Sequence, residues 1–406
     1  MQNKKYYICV TPFFPSPNNW RGSYVLDQVK AIKRNSDYEV VVFIGVKDPS
    51  DYEIEGIKVY QYRSRETPSN VLNGIFNNYN AESFVRRVLD VGIDPKDVAF
   101  VHCHVSMRAA CGLALKNLNP NIKVLIQHHD LDPFNLRSGV IGRYNWFNVR
   151  YKVFKALKLY NQADLHVCIS EACRDSLLAF PNARKGEIYE DYLRVIAKAN
   201  GMKHVTPKAL YVLYNGVDTH VFKKKHTDIA RANKFRIGCI GNFWDLKGQM
   251  TLIKAFDIFI HHLSSNVRND IKLSLLGTGE TRKQCEQYIN EHGLAQYVEW
   301  PKEVFHDKLP EYYHSLDLFV LPSYFEGFGC VFTEAAACGV PFMGCVNQGY
   351  SEYVKDKDLW LITPNDYEQL ASLIEHQYQE RNEQTLRYSF DIDDLINDFL
   401  KYIQNL

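Results

Sequence analysis

What this chain lacks narrows its class before anything it contains. Its 48 Lys and Arg are almost balanced by 47 Asp and Glu, leaving a net charge of +1 over 406 residues. No overall field therefore draws in nucleic acid, and a charged partner must be met by a local patch. No uncharged apolar run approaches the ~18–20 residues needed to cross a bilayer. The N-terminus, "MQNKKYYICVTPFFP", starts positively but has neither the apolar core nor the small-residue cleavage site of a signal peptide. Among the ten cysteines there is no C-x-x-C pair, and most lie inside apolar runs such as "RIGCIG" and "LHVCIS". That pattern speaks against a zinc knuckle or disulfides and for buried thiols in a reducing compartment. No short internal repeat or low-complexity tract is visible. With 46% hydrophobic and 23% charged residues, the expectation is a globular protein of the cytoplasm.

What is present is an alternation of short apolar runs and helix-period segments. The first half offers "YYICVT", "YEVVVFIGV", "VAFVHCH", "KVLIQ", "LHVCIS" and "ALYVLYNG" as strands, separated by helical stretches such as "SYVLDQVKAIKR". The second half begins again with "KFRIGCIG", then "IKLSLLG", "YVEW", "LDLFVLPS", "PFMGC" and "LWLIT". Near-continuous apolar strands alternating with helices mark buried parallel sheets. The class is α/β, with two doubly wound domains expected to face one another across a cleft. The expected division is 1–214, 215–385, and a C-terminal helix in 386–406.

In such sheets ligands bind beyond the carboxyl ends of the strands, so the residues just after each strand carry the argument. After "LDLFVLPS" comes "EGFGCVFTE", with Glu326 and Glu334 eight residues apart and Gly327, Phe328 and Gly329 directly behind the first. Glycines let backbone N–H groups approach a ligand, and a helix N-terminus favours an anion. A carboxylate accepts two hydrogen bonds from a vicinal diol. The bland alternative is a pair of acids on a solvated helix start, where they favour the dipole. After "KFRIGCI" comes "GNFWDLKG", which sets Lys247 at the start of a long helix, either as a cation suited to neutralising a leaving diphosphate or as an ordinary lysine on a solvated first turn. The turn "LLGTGET" offers Gly277-x-Gly279, but Arg282 stands where a dinucleotide fingerprint needs its third glycine.

The first half has its own cluster: His102 and His104 in "VHCHV", then His128, His129 and Asp130 in "IQHHDLDPF". Alternate residues share one strand face, so His102 and His104 point the same way. The spacing is not that of a recognised zinc site. A polar cleft lining, with His129 and Asp130 near a reacting group, is the preferred reading over a cation at Asp130 and Asp132. From Pro133 to Ala163 there are six basic residues (Arg137, Arg143, Arg150, Lys152, Lys155, Lys158) and no acid, interleaved with aromatics. That composition suits a helix on an anionic membrane surface. On a helical wheel, however, Arg150 and Lys158 fall among the aromatics, as in a core-facing helix with snorkelling basics.

Taken together, "PSYFEGFGCVFTEAAACGVP", "YNGVDTHVF", "GNFWDLKGQMTLIKAF", "LLGTGETRKQCEQYINEHGLAQYVEW" and "ADLHVCISEACRDSLL" resemble glycosyltransferase family 4, the retaining enzymes of GT-B architecture, over nearly the whole chain. The resemblance implies transfer of a sugar from a nucleotide diphosphate sugar to an acceptor hydroxyl, with the anomeric configuration kept. Carried over by position, Glu326 holds sugar hydroxyls, Lys247 neutralises the departing diphosphate, and His129 sits over the donor sugar; these three form the expected catalytic set. Glu334 holds the ribose diol. Gly327, Phe328, Gly329, Asn242, Gly22 and Gly277 complete the donor-binding set, while His104 and Asp130 line the acceptor side or the cleft. The resemblance implies a C-terminal helix that returns to the first domain, no metal, and no cofactor beyond the nucleotide sugar. The acceptor is expected to be a glycan or a lipid-linked glycan, met in the cytoplasm or at the inner face of the membrane through residues 133–163, with no role for nucleic acid.

Three departures from the family pattern stand out. Asn242 replaces an arginine of many relatives, "NNWRGSY" has one glycine where two are frequent, and "NQGYSE" replaces a double glycine before Glu352. The Asn242 change keeps open a non-catalytic partner protein of the same fold; a sugar-nucleotide epimerase or a phosphorylase is a further alternative. An oxidoreductase using "GTG" lacks both the third glycine and an acid placed for a cofactor ribose.

Overall fold

Apolar runs buried on both faces become the central strands of two parallel sheets. The computed structural model describes residues 5–16, 19–67, 71–72, 74–129, 146–179, 205–224, 234–302, 304, 306–323, 326–346 and 348–406. It divides into two units, Met1–Gly216 with Ile392–Leu406, and Val217–Asp391. The division falls two residues later than expected, and the returning segment begins at Ile392, not at 386. Gly216 permits the first crossing, because a Cβ there would lie 2.7 Å from the Cα of Ile392. Val217 N–H, in turn, donates to the carbonyl of Phe390 at 2.8 Å.

The first unit contains β1 (Tyr6–Thr11), α1 (Ser23–Arg34), β2 (Glu39–Val46), β3 (Tyr52–Ile54), β4 (Ile57–Arg63), α2 (Asn77–Asp90) and β5 (Val98–His104). It continues with α3 (Ala109–Lys116), β6 (Lys123–His128), α4 (Trp146–Tyr160), β7 (Leu165–Cys168), α5 (Glu171–Ala179) and β8 (Leu210–Val212). Among the described residues the sheet order is β3-β4-β2-β1-β5-β6-β7-β8. All neighbours are parallel apart from the β3–β4 hairpin. Side-chain alternation on β1 explains the helices on both faces. Tyr7 and Cys9 join Val25, Leu26 and Val29 of α1 on one side. Ile8 and Val10 join Phe84 and Val88 of α2 on the other. The C-terminal helix Ile392–Ile403 closes the first of these layers with Ile392, Ile396, Phe399, Leu400 and Ile403, and Arg34 donates to Asp393 at 2.8 Å.

The second unit runs β9 (Phe235–Ile240), α6 (Gln249–His262), β10 (Ile271–Leu276), α7 (Arg282–Glu291), β11 (Val298–Glu299) and β12 (Leu318–Val320). After these come α8 (Cys330–Ala337), β13 (Phe342–Cys345), β14 (Leu361–Ile362) and α9 (Tyr367–Glu380). Its all-parallel order, β11-β10-β9-β12-β13-β14, reverses direction between β9 and β12. That reversal leaves a crevice at the carboxyl ends of those two strands. The ten cysteines are free thiols, nine of them buried. Among the described residues no helix is long and apolar enough to cross a membrane.

Candidate active site

Two of the three post-strand turns singled out in the second half of the sequence, those after β9 and β12, lie at this reversal. The turn after β9 ends in a single helical turn, Asp245–Lys247, so Lys247 precedes α6 instead of opening it. Gly248, with φ of 70°, lets the chain pass the carbonyl of Pro322, which a Cβ would meet at 2.2 Å. Lys247 Nζ donates to Glu326 Oε1, with side-chain exposures of 22% and 13%. The crevice thus holds an ammonium and a carboxylate side by side, both largely removed from water.

A third turn fixes the backbone of Glu326. Its N–H donates to Gln348 Oε1 at 2.8 Å, and its carbonyl accepts from Gly349 N–H at 3.2 Å. Gly349 must be glycine, since a Cβ would sit 2.0 Å from the carbonyl oxygen of Gly327. Gln348 and Gly349, in the stretch that departs from the family's double glycine, therefore brace the Glu326 turn. Gln348 is itself buried, and sequence reasoning did not single it out. The Phe328 ring packs on Tyr353 and Phe390, so this residue anchors the turn and offers a ligand only its backbone. Gly329 caps α8 with φ of 81°.

Glu334 lies on α8, 9% exposed, and its Oε2 accepts from Tyr313 O–H at 2.8 Å. An acid so enclosed is not a solvated helix charge, which removes the bland reading of the two glutamates. Tyr313 stays protonated, its pKa raised first by burial and then by Glu334. Gly277 has an internal reason to be glycine: a Cβ would meet the carbonyl oxygen of Gly241 at 2.1 Å. The turn after β10 thus packs on the turn after β9, and Phe243 N–H donates to the carbonyl of Thr278 at 2.8 Å. Asn242 is exposed, and its carbonyl accepts from Gln249 Nε2 at 3.0 Å.

In the first unit, Gly22 precedes α1 with φ of 90°, and a Cβ there would lie 3.1 Å from Phe13. His129, at the end of β6, packs against Tyr24 of α1 with ring centroids 5.2 Å apart. Its Nε2 is 2.7 Å from His104 Nδ1, and the two rings stack at 4.9 Å. His104 is 1% exposed, so it does not line a surface as expected; it stands behind His129. His102 continues the file, its ring centroid 4.7 Å from that of His104 and its Nδ1 2.6 Å from Tyr7 O–H. Burial pushes His102 and His129 down to about 3, so both rings are neutral. The Nδ1 atom of His129 is enclosed and has no hydrogen-bond partner among the described residues. A neutral imidazole with one nitrogen engaged and one unengaged is suited to a hydroxyl.

His128 turns to the opposite face, where its Nε2 meets His166 Nδ1 at 3.0 Å. His166 was not singled out from sequence. Asp130 and Asp132, on which a cation site depended, lie outside the described residues, as do Arg137 and Arg143. Among the described residues no group of three His, Cys, Asp or Glu could hold a metal ion.

Two family models match the chain: Glycosyltransferase Family 4 over residues 22–188 and Glycosyl transferases group 1 over residues 222–388. The chain is 24% identical over 350 residues to an uncharacterized glycosyltransferase of Methanocaldococcus jannaschii, covering 83% of this chain and 79% of that protein. It is 29% identical over 162 residues to a GDP-mannose-dependent alpha-(1-6)-phosphatidylinositol monomannoside mannosyltransferase of Mycolicibacterium smegmatis, covering 36% of this chain and 41% of that one. Among solved structures, Anabaena HepE in complex with UDP and glucose shares the fold. It has a TM-score of 0.66 at 18% identity, covering 98% of this chain and 99% of that one.

Proposed function

The chain belongs to glycosyltransferase family 4 and has the GT-B fold, and from that premise we propose that it moves a sugar from a nucleotide diphosphate sugar to an acceptor hydroxyl with retention of configuration. The observation that carries this reading is the Lys247–Glu326 pair at the strand-order reversal of the second unit. An ammonium there suits the diphosphate, and the adjoining carboxylate suits the hydroxyls of the transferred sugar. The backbone of Phe328 and Gly329, at the N-terminus of α8, faces the phosphate side. Glu334, oriented by Tyr313, takes the ribose diol. His129, neutral and held by His104, meets a hydroxyl of the donor sugar.

In the proposed reaction the acceptor oxygen attacks the anomeric carbon on the face that the diphosphate leaves. A carbon–oxygen bond to the acceptor forms as the bond to the diphosphate breaks, and the acceptor's proton passes to the leaving phosphate oxygen. Lys247 and the α8 N-terminus stabilise the developing charge, which is work a divalent ion does in other transferases. Asn242 supplies no second cation, so either another basic residue reaches the diphosphate or it is held more weakly than where an arginine stands.

We assign the acceptor to a surface or lipid-linked glycan. The M. smegmatis relative, named for a phosphatidylinositol-linked acceptor, supports this. So does α4, where Phe154 is 51% exposed and Lys158 Nζ lies 4.3 Å from its ring. An exposed aromatic with a lysine one turn on suits peripheral contact with an anionic membrane.

A panel of UDP-, GDP-, ADP- and dTDP-sugars in excess EDTA tests the reading through release of nucleotide diphosphate. Slow release from one donor is the expected result and names base and sugar. Silence that only a divalent metal relieves would overturn metal independence, and failure to bind any donor would overturn the reading itself.

A further inference from the structure

A cavity of about 340 Å³ opens at the carboxyl ends of β1, β4 and β5 in the first unit. Strand order reverses between β1 and β5, which is where open parallel sheets collect ligands. Among the described residues its wall carries Arg65, Arg108 and Lys152 against one acid, Glu66.

Arg108 is 6% exposed, and a charge so buried is costly unless an anion answers it. Its Nη2 donates to Glu66 Oε1 at 2.5 Å, yet the Glu66 side chain is 64% exposed. That partner is screened by water and open to displacement by a better anion. Arg65 is held in place from below. Asn80 Oδ1 accepts from its N–H at 2.8 Å, Asn80 Nδ2 donates to its carbonyl at 2.9 Å, and its guanidinium lies 4.6 Å over the Tyr79 ring. Val105 opens the turn that delivers Arg108 to the wall, with φ of 66° and ψ of 151°. A β-branched residue rarely accepts that region, and such outliers gather at ligand sites. No residue of the donor site in the second unit lines this cavity.

From this placement we infer that the cavity is the anion subsite of the acceptor, and that the acceptor is a phosphate ester whose phosphate is held by Arg65, Arg108 and Lys152. Three cations and one acid leave two positive charges, which a phosphate dianion balances and a carboxylate does not. Guanidinium groups match phosphate oxygens in geometry as well as charge. Ile75, 45% exposed, and Phe76 stand on the same wall and give the organic part of the ester an apolar contact. The inference rests on reading the chain as a transferase with its acceptor in the first unit.

The test is calorimetric binding to the full chain, without donor, in a Lys247→Ala background that weakens phosphate contact at the donor site. The probes are glucose 6-phosphate and geranyl phosphate, with glucose and geraniol as their unphosphorylated counterparts. One phosphorylated probe is expected to bind at least ten times more tightly than its counterpart. Arg65→Gln should weaken it about tenfold, Arg108→Gln by more, and Glu66→Gln should strengthen it. Arg65 is exposed, so its variant reads the site even if Arg108→Gln fails to fold. Preference for geranyl phosphate marks a lipid source and preference for glucose 6-phosphate a soluble one, and either supports the subsite. Absence of binding, or binding that all three variants leave unchanged, overturns it. Because no donor enters, this result is independent of whether nucleotide diphosphate is released.

Discussion

Lys247 and Glu326 hold one another in the crevice. Each is largely buried, so removing one leaves the other as an uncompensated charge, whereas removing both does not. Lys247→Ala and Glu326→Ala should each abolish turnover and each lower stability. The double variant should be more stable than the sum of the two losses predicts, by roughly 1 kcal/mol or more in a denaturant-melt cycle. Additive losses would mean that the pair is not coupled. Gln348 is the positioning residue beside them: Gln348→Ala strips the Glu326 N–H of its acceptor, at a cost of about 1–3 kcal/mol. We expect it to lower kcat about tenfold with little change in KM, whereas a merely structural residue would lower Tm alone. The sequence singles out Glu326, Lys247 and His129 because each follows a recognisable strand by a few residues, and Glu334 because it lies eight residues beyond Glu326. It does not single out Gln348 and Tyr313, because their partners lie 22 and 21 residues away and no local pattern announces them.

Among the strands, β5, β6 and β7 carry a consequence for pH. His102, His129 and His166 are held at about 3 by burial, against an ordinary value of 6.5. Between those values the unfolded chain binds more protons than the folded one, so stability rises with pH. The contribution is complete above about 6.5 and is lost as pH falls toward 3. Each such group accounts for about 1.4 kcal/mol per pH unit, so the melting temperature should drop by several degrees between pH 7 and pH 5. His166→Gln should flatten part of that slope; a melting temperature independent of pH over this range would refute the assignment of neutral buried rings. The elements that sequence revealed are those whose two faces are both covered, such as "EVVVFIGV" and "LFV", which read as unbroken apolar runs. The β3–β4 hairpin, "YEIEGIKVYQYR", was not read as strand. It lies at the sheet edge, with Glu53, Lys58 and Arg63 exposed, so its apolar runs are broken. Gly277 was read for its nearness to a ligand, but its packing against Gly241 follows from two turns that only the fold brings together.

At the scale of the whole molecule, the chain returns to its first unit through Ile392–Ile403. Five apolar side chains of that helix are buried, at about 2 kcal/mol each, which approaches the ~5–15 kcal/mol stability of an ordinary domain. Deleting residues 392–406 should therefore leave the first unit unfolded or aggregated, read by loss of its cooperative melt. A soluble truncation with an unchanged melt would show that the helix is an accessory. Two reversals of strand order, one in each unit, lie at the Lys247–Glu326 pair, between β9 and β12, and at the cationic cavity, between β1 and β5. The two sheets are implicit in the two runs of apolar strands, while the cavity is not, since Arg65, Arg108 and Lys152 share no motif.

The central claim is donor use with retention at the Lys247–Glu326 crevice, and proton NMR of donor hydrolysis in excess EDTA tests it most directly. The sugar first released should carry the same anomeric configuration as the donor, and Glu326→Ala should release none. Release of the opposite anomer, or unchanged release by Glu326→Ala, would contradict the account.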